Sequence, residues 1–104
     1  MKRDDFRDFV LDQLSELGDV TSQAMFGGYG FYLGQIFFAI VYRRRLYFKT
    51  NDQTRSDYEA RGMRPFRPNP RQTLKTYYEV PVGVLENQDE LVEWARKAIA
   101  AKAD

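Results

Sequence analysis

Glu79 follows Tyr77 and Tyr78 directly, and a carboxylate beside two phenols is the pairing in this sequence closest to an acid–base site. With a cation such as Arg64 nearby, a carboxylate of this kind can exchange a proton with a bound substrate. An exposed or edge position on a strand accounts for Glu79 equally well. The remaining inventory is thin. The chain has no cysteine and no histidine, which removes thiol nucleophiles, disulfides, zinc–thiolate centres and the side chain best suited to proton transfer near neutral pH. Asp4, Asp5, Asp8 and Asp12 recur at helical spacing. They read as a solvated helix face with favourable N-terminal charge, because a hard cation needs oxygens converging from a loop. No catalytic residue, metal ligand or cofactor site is assigned, and the chain is expected not to be an enzyme.

Charge is more informative. The net charge of +1 conceals a basic middle: from Arg43 to Lys75 there are ten cations against three acids, and the remainder is acidic by six. Arg43, Arg44, Arg45, Lys49, Arg64, Arg67, Arg71 and Lys75 are expected to form one electropositive face for a partner or a nucleic acid. Clustered cations neutralise phosphates, and Tyr42 and Tyr47 could stack on exposed bases. The alternatives are an acidic protein surface as partner, or arginines paired internally with Asp57, Glu59 and the acidic ends.

The third candidate is Met25-Phe26-Gly27-Gly28-Tyr29-Gly30-Phe31-Tyr32. As a phosphate cradle it fails, since no Gly-Lys-Ser/Thr follows and no helix N-terminus comes next. Glycines among aromatics instead suggest a strand that bends or bulges with large side chains packed around the bend.

The elements that must position these residues can be read from periodicity. Phe6, Phe9, Val10, Leu14 and Leu17 form one helical stripe, with Asp4 or Asp5 as cap and Gly18 as its end. Strands are expected over 21–26, 28–33, 36–42, 46–49 and 75–80, with Gly34-Gln35 and Arg43-Arg44-Arg45 as turns and Tyr77 and Tyr78 on opposite faces. The segment 36–42 is apolar at both parities, so it is expected to be central, or covered on both sides, either fully internal or with one face awaiting a partner. A helix over 52–61 is capped by Thr50 or Asn51 and closed by Gly62. Residues 63–73, with Pro65, Pro68 and Pro70, read as an ordered loop. Pro81 and Gly83 end the last strand. Asn87 with Glu90 opens a final helix carrying Leu91, Trp94, Ala95, Ala98 and Ile99, where Trp94 belongs to the core. The order α-β-β-β-β-α-β-α implies an α+β, two-layer domain, mainly antiparallel sheet with helices packed on it. A single domain is expected over 1–104, without disulfide or metal staples. Neither a signal peptide nor a bilayer-spanning run is evident, so a cytoplasmic location, no membrane partner, and a monomer or homodimer are expected.

These pieces together resemble the N-terminal domain of the TfoX/Sxy family of bacterial competence regulators. The resemblance rests on 25–32, Phe38-Ala39, Leu46-Tyr47-Phe48-Lys49, Tyr58 to Phe66, Tyr77-Tyr78-Glu79-Val80-Pro81, and Leu91 with Trp94 to Ala98. Within these segments Met25, Phe26, Gly27, Gly28, Tyr29, Gly30, Gly62, Pro65, Phe66, Tyr78, Pro81 and Trp94 are expected to be structural. The resemblance implies a compact α+β domain of regulators that act with the cyclic-AMP receptor protein on DNA-uptake genes. It implies a non-catalytic regulatory domain making protein contacts, with transcription machinery as a partner. Direct nucleic-acid binding through the basic face is the alternative. Longer members carry a second, helical C-terminal domain, and the resemblance here covers only the N-terminal one, so a single domain without that addition is expected.

Overall fold

The computed structural model describes residues 5–25 and 27–101; Phe26 and the alternative helix cap Asp4 lie outside the described residues. Helix α1 (Asp5–Gln13) and a 3₁₀ turn (Ser15–Leu17) lead into a six-stranded antiparallel sheet. Its strands are β1 (Val20–Met25), β2 (Gly28–Leu33), β3 (Ile36–Tyr42), β4 (Arg45–Lys49), β5 (Pro65–Asn69) and β6 (Gln72–Glu79), in the spatial order β1-β2-β3-β4-β6-β5. Helix α2 (Asp52–Glu59) follows β4, and α3 (Val82–Leu85) and α4 (Gln88–Ala100) complete the order. The expected α+β architecture and element order hold, with the 3₁₀ turn, β5 and α3 as short additions.

All the helices lie on one face of the sheet. Phe6 and Val10 of α1, Leu14 just after it, Tyr58 of α2, Val84 of α3 and Leu91, Ala95 and Ala98 of α4 form one core with Phe31, Phe38, Val41, Phe48 and Tyr78. Fully burying each large side chain of this kind contributes roughly 2–3 kcal/mol. Phe9 is a correction to the expected stripe: it is 42% exposed, because the α1 surface facing the core is narrow enough to be filled by Phe6, Val10 and Leu14. Trp94 packs against this core, edge-on to Tyr58 at 4.8 Å.

Strand β3 is central, as its apolar composition requires. The β2–β3 ladder pairs Phe31 with Ala39 but Tyr32 with Phe37, so Phe38 is an extra residue. This bulge turns both Phe38 and Ala39 toward the helices. The glycine-aromatic motif itself is not a bent strand. Met25 pairs with Gly28, so the segment is a β1–β2 hairpin, with Gly27 at φ 80° between the two strands. Gly28 and Gly30 are needed for space: a Cβ on Gly28 would run into the Val41 carbonyl oxygen, and one on Gly30 would lie 2.5 Å from Met25 Sδ and 2.9 Å from Phe37.

The expected loop at 63–73 is instead mostly a hairpin of β5 with β6. Pro70 falls in the turn after β5, whereas Pro65 and Pro68 sit on that edge strand, where a missing N–H need not break a ladder on both sides. They do interrupt it. Pairing jumps from Pro65–Tyr78 to Phe66–Leu74, and Phe66 reaches across to Tyr47 at 4.7 Å and Tyr42 at 5.4 Å. Gly18 also differs from its expected role. It follows the 3₁₀ turn at φ 115°, ψ −142°, outside the conformation that closes an α-helix. Gly62, at φ 74°, does follow the end of α2.

Candidate partner-binding face

The sheet face away from the helices carries no helix residue among those described. Ile40, Tyr47, Phe66 and Tyr77 form a second, smaller core there, flanked by the partly buried Phe37, Tyr42 and Leu74. Tyr32 stacks on Phe37 at 5.1 Å, and Phe37 meets Tyr77 at 5.4 Å. Burial pushes the Tyr47 and Tyr77 hydroxyls up, Tyr77 to about 12, so both stay neutral in the physiological range. Tyr77 and Tyr78 take opposite faces, since Tyr78 belongs to the helix-covered core.

Charge is divided between the two layers. The four helices hold nine acids against four bases, whereas the six strands and their hairpin turns hold seven cations and the single acid Glu79. The basic segment of the sequence is thus largely the charge of the sheet layer. It does not form one patch, however. Arg43, Arg44 and Arg45 lie at the β3–β4 turn, beside the C-terminal end of β6, while Arg71 occupies the β5–β6 turn at the other end of that strand. Roughly 25 Å of strand separates the two clusters. Arg67 belongs to the second cluster, Lys49 and Lys75 lie between the two, and Arg64 precedes β5, its carbonyl accepting from the Glu79 amide at 3.0 Å.

The first cluster has the more unusual geometry. Arg43 and Arg44 form the two-residue loop of the β3–β4 hairpin, with φ of 50° and 61°. Such loops favour Asn-Gly, because a side chain at positive φ costs about 1–2 kcal/mol. No described acid forms an ion pair with either residue. Arg43 lies over the Tyr42 ring at 5.3 Å and Arg44 over the Phe6 ring at 5.6 Å. Arg45 Nη1 donates to both carboxylate oxygens of Glu79, at 3.0 and 2.9 Å. The Glu79 carboxylate therefore pairs with Arg45, while Arg64, the cation expected near it, meets Glu79 through its carbonyl. A groove of about 360 Å³ opens here between Arg43, Arg44, Arg45, Glu79, Val82 and Leu85. Val82 is 65% exposed at its side.

Internal pairing accounts for other cations. Arg61 reaches Glu90 at 3.7 Å, Lys97 reaches Asp57 at 4.0 Å and Arg55 meets Asp52 at 3.0 Å. Arg67 instead donates to the Pro70 carbonyl at 2.8 Å. On α1, a broader depression of about 550 Å³ lined by Asp5, Asp8, Phe9 and Asp12 remains a solvated acidic surface. Sequence reasoning missed α3 and with it Val82, the apolar wall of the groove. The Pro81-Val82 step was legible only as the end of a strand.

The model of the TfoX N-terminal domain matches residues 12–102, from the end of the first helix to the last. The chain belongs to the TfoX N-terminal domain family. The match covers the basic turn, the groove and the whole sheet of this TfoX-type domain. No curated protein matches the chain. Among the described residues, no helix is long and apolar enough to cross a membrane.

Proposed function

We propose that this TfoX-type domain is a non-catalytic regulatory module of the cytoplasm that docks an acidic, partly apolar protein segment at the Arg43–Arg45 corner, within transcriptional regulation of the competence type. The observation that carries this reading is the arginine pair held at positive φ. A hairpin turn gains nothing from arginine in that conformation, and backbone strain of this kind collects where side chains have work to do. The adjoining Val82 adds an apolar contact that a protein segment can use and a phosphate backbone cannot. Glu79 commits both oxygens to Arg45, which suits a positioning role at this corner.

The test is a pull-down from the native cell with the wild-type chain and with the double variant Arg43→Asn, Arg44→Gly. The variant keeps the turn in its preferred residues and removes both cations. A protein retained by wild type after nuclease treatment and lost by the variant supports the reading; equal retention by both refutes it. A second reading, direct nucleic-acid contact, is favoured by the half-buried Tyr32, Phe37 and Tyr42 on a face whose strands are basic. It predicts fluorescence anisotropy binding to DNA that weakens steeply with salt. A response that is flat at low salt removes it.

A further inference from the structure

The two edges of the sheet are built differently. Edge strand β5 reads Pro-Phe-Arg-Pro-Asn, with prolines at 65 and 68 and a cation at 67. These are the devices by which sheets refuse further pairing. Edge strand β1 reads Val-Thr-Ser-Gln-Ala-Met, six residues without a charge or a proline. All six pair with β2, and among the described residues no other strand pairs with β1. In an antiparallel edge strand, alternate residues turn their N–H and C=O groups away from the neighbour. One of these, the Val20 N–H, bends back to the Gly18 carbonyl at 3.0 Å at the strand's beginning. The rest of β1 offers a row of donors and acceptors to another strand.

We propose that β1 is a self-association edge, pairing antiparallel with β1 of a second copy across a two-fold axis at Ser22 or Gln23, the middle of the strand. Three features select a second copy as the occupant. Pairing β1 with itself sets no like charges opposite each other, because the strand carries none. An antiparallel two-fold also matches outward-turned residues with outward-turned residues on both sides of the axis, so the edge complements itself. Finally, β5 cannot serve as the partner edge of the next molecule. Addition therefore stops at two copies, giving a closed isologous dimer with a continuous twelve-stranded sheet and no fibre. The Arg43–Arg44 corner lies on the other side of β2 and β3, so the proposed docking site stays open in the dimer.

Sedimentation equilibrium of the full chain across the micromolar to near-millimolar range tests this. The mass should rise with concentration toward twice the 12.3 kDa of one chain. Thr21 and Gln23 are exposed, so the double variant Thr21→Lys, Gln23→Lys should keep the wild-type circular dichroism. It places lysines opposite lysines across the axis and should weaken association roughly tenfold or more. The protein lacks cysteine, so single Ser22→Cys and Gln23→Cys variants introduce unique thiols. At least one of them should form an intermolecular disulfide under mild oxidation, with Cα atoms within the roughly 4.4–6.8 Å a disulfide spans, while Arg67→Cys on the proline edge should not. A wild-type chain that stays monomeric throughout, a lysine variant that dimerises as the wild type does, or cross-linking confined to Arg67→Cys overturns the proposal.

Discussion

Gly28→Ala should be among the most damaging small substitutions in this fold, and the reason is space. The backbone of Gly28 lies outside the left-handed region, so alanine meets no conformational penalty there. The added methyl, however, runs into the Val41 carbonyl oxygen and lies 3.3 Å from Tyr42 Cα, both backbone atoms of β3. Backbone in the middle of a ladder cannot step aside as a side chain can. The β2–β3 pairing at Tyr29–Val41 must open, and overpacking of this kind costs about 3 kcal/mol. Gly30→Ala makes a useful contrast. Its methyl meets Met25 Sδ at 2.5 Å and Phe37 Cε1 at 2.9 Å, both ends of side chains that can shift. The strand also gains up to about 1 kcal/mol from replacing glycine, so the net cost should be about 1 kcal/mol. Gly27→Ala should cost about 1 kcal/mol for a third reason. Nothing lies within 4 Å of its Cβ position, but φ is 80°. Urea unfolding followed by circular dichroism and by the fluorescence of the single tryptophan measures all three. In a domain of this size, about 3 kcal/mol lowers Tm by roughly 12–20 °C. If Gly28→Ala lay within about 1 kcal/mol of wild type, or cost less than Gly30→Ala, the steric account would be wrong.

Two further outcomes follow from local chemistry. Asn51 Oδ1 accepts from the Gln53 and Thr54 amides at 3.0 and 2.9 Å, and Thr54 Oγ1 accepts from the Asn51 amide at 3.0 Å; Asn51→Ala should cost about 1–2 kcal/mol in urea unfolding, and Asn51→Asp much less. The Tyr77 hydroxyl is raised from 10 to about 12 by burial and then by Tyr32, so the folded state holds this proton more tightly than the unfolded chain. Its stabilising contribution is complete below pH 10 and lost as pH rises toward 12; urea midpoints should fall over that window, and Tyr77→Phe should make the fall shallower.

Much of the architecture could be read from local pattern. The stripe Leu91, Ala95, Ala98, the two-sided apolar β3 and the Asn51 and Asn87 caps each depend on residues a few positions apart, and each appears in the fold. What could not be read depends on distance or on context. Pro65 and Pro68 forbid a central strand but permit an edge, and only the strand order says that β5 is an edge. The cations from Arg43 to Lys75 are neighbours in sequence, yet β6 runs back alongside β4 and carries Arg71 to the opposite end from Arg45. Nor does anything in Tyr-Arg-Arg-Arg announce a left-handed turn, since arginine is a poor choice for one. The tight register between β3 and β4 imposes it.

The division of charge between layers bears on how a partner arrives. The sequence places +7 in its middle, but a run of charge has no direction until the chain folds. Here the helices take most of the acids to one side, and the strands and their turns take cations to the other. The molecule therefore has an electrical front and back. The anionic partner proposed for the Arg43–Arg45 corner would be attracted to the sheet side and repelled from the helices before any contact forms, which would raise the encounter rate there without adding to its contacts. Over a domain about 30 Å across this orienting field is cut within a Debye length of roughly 8 Å at physiological salt, so it acts only in the final approach. Recognition itself must then come from short-range features. Among those described, the strained arginine turn beside exposed Val82 is the place where charge, apolar surface and a preset conformation coincide.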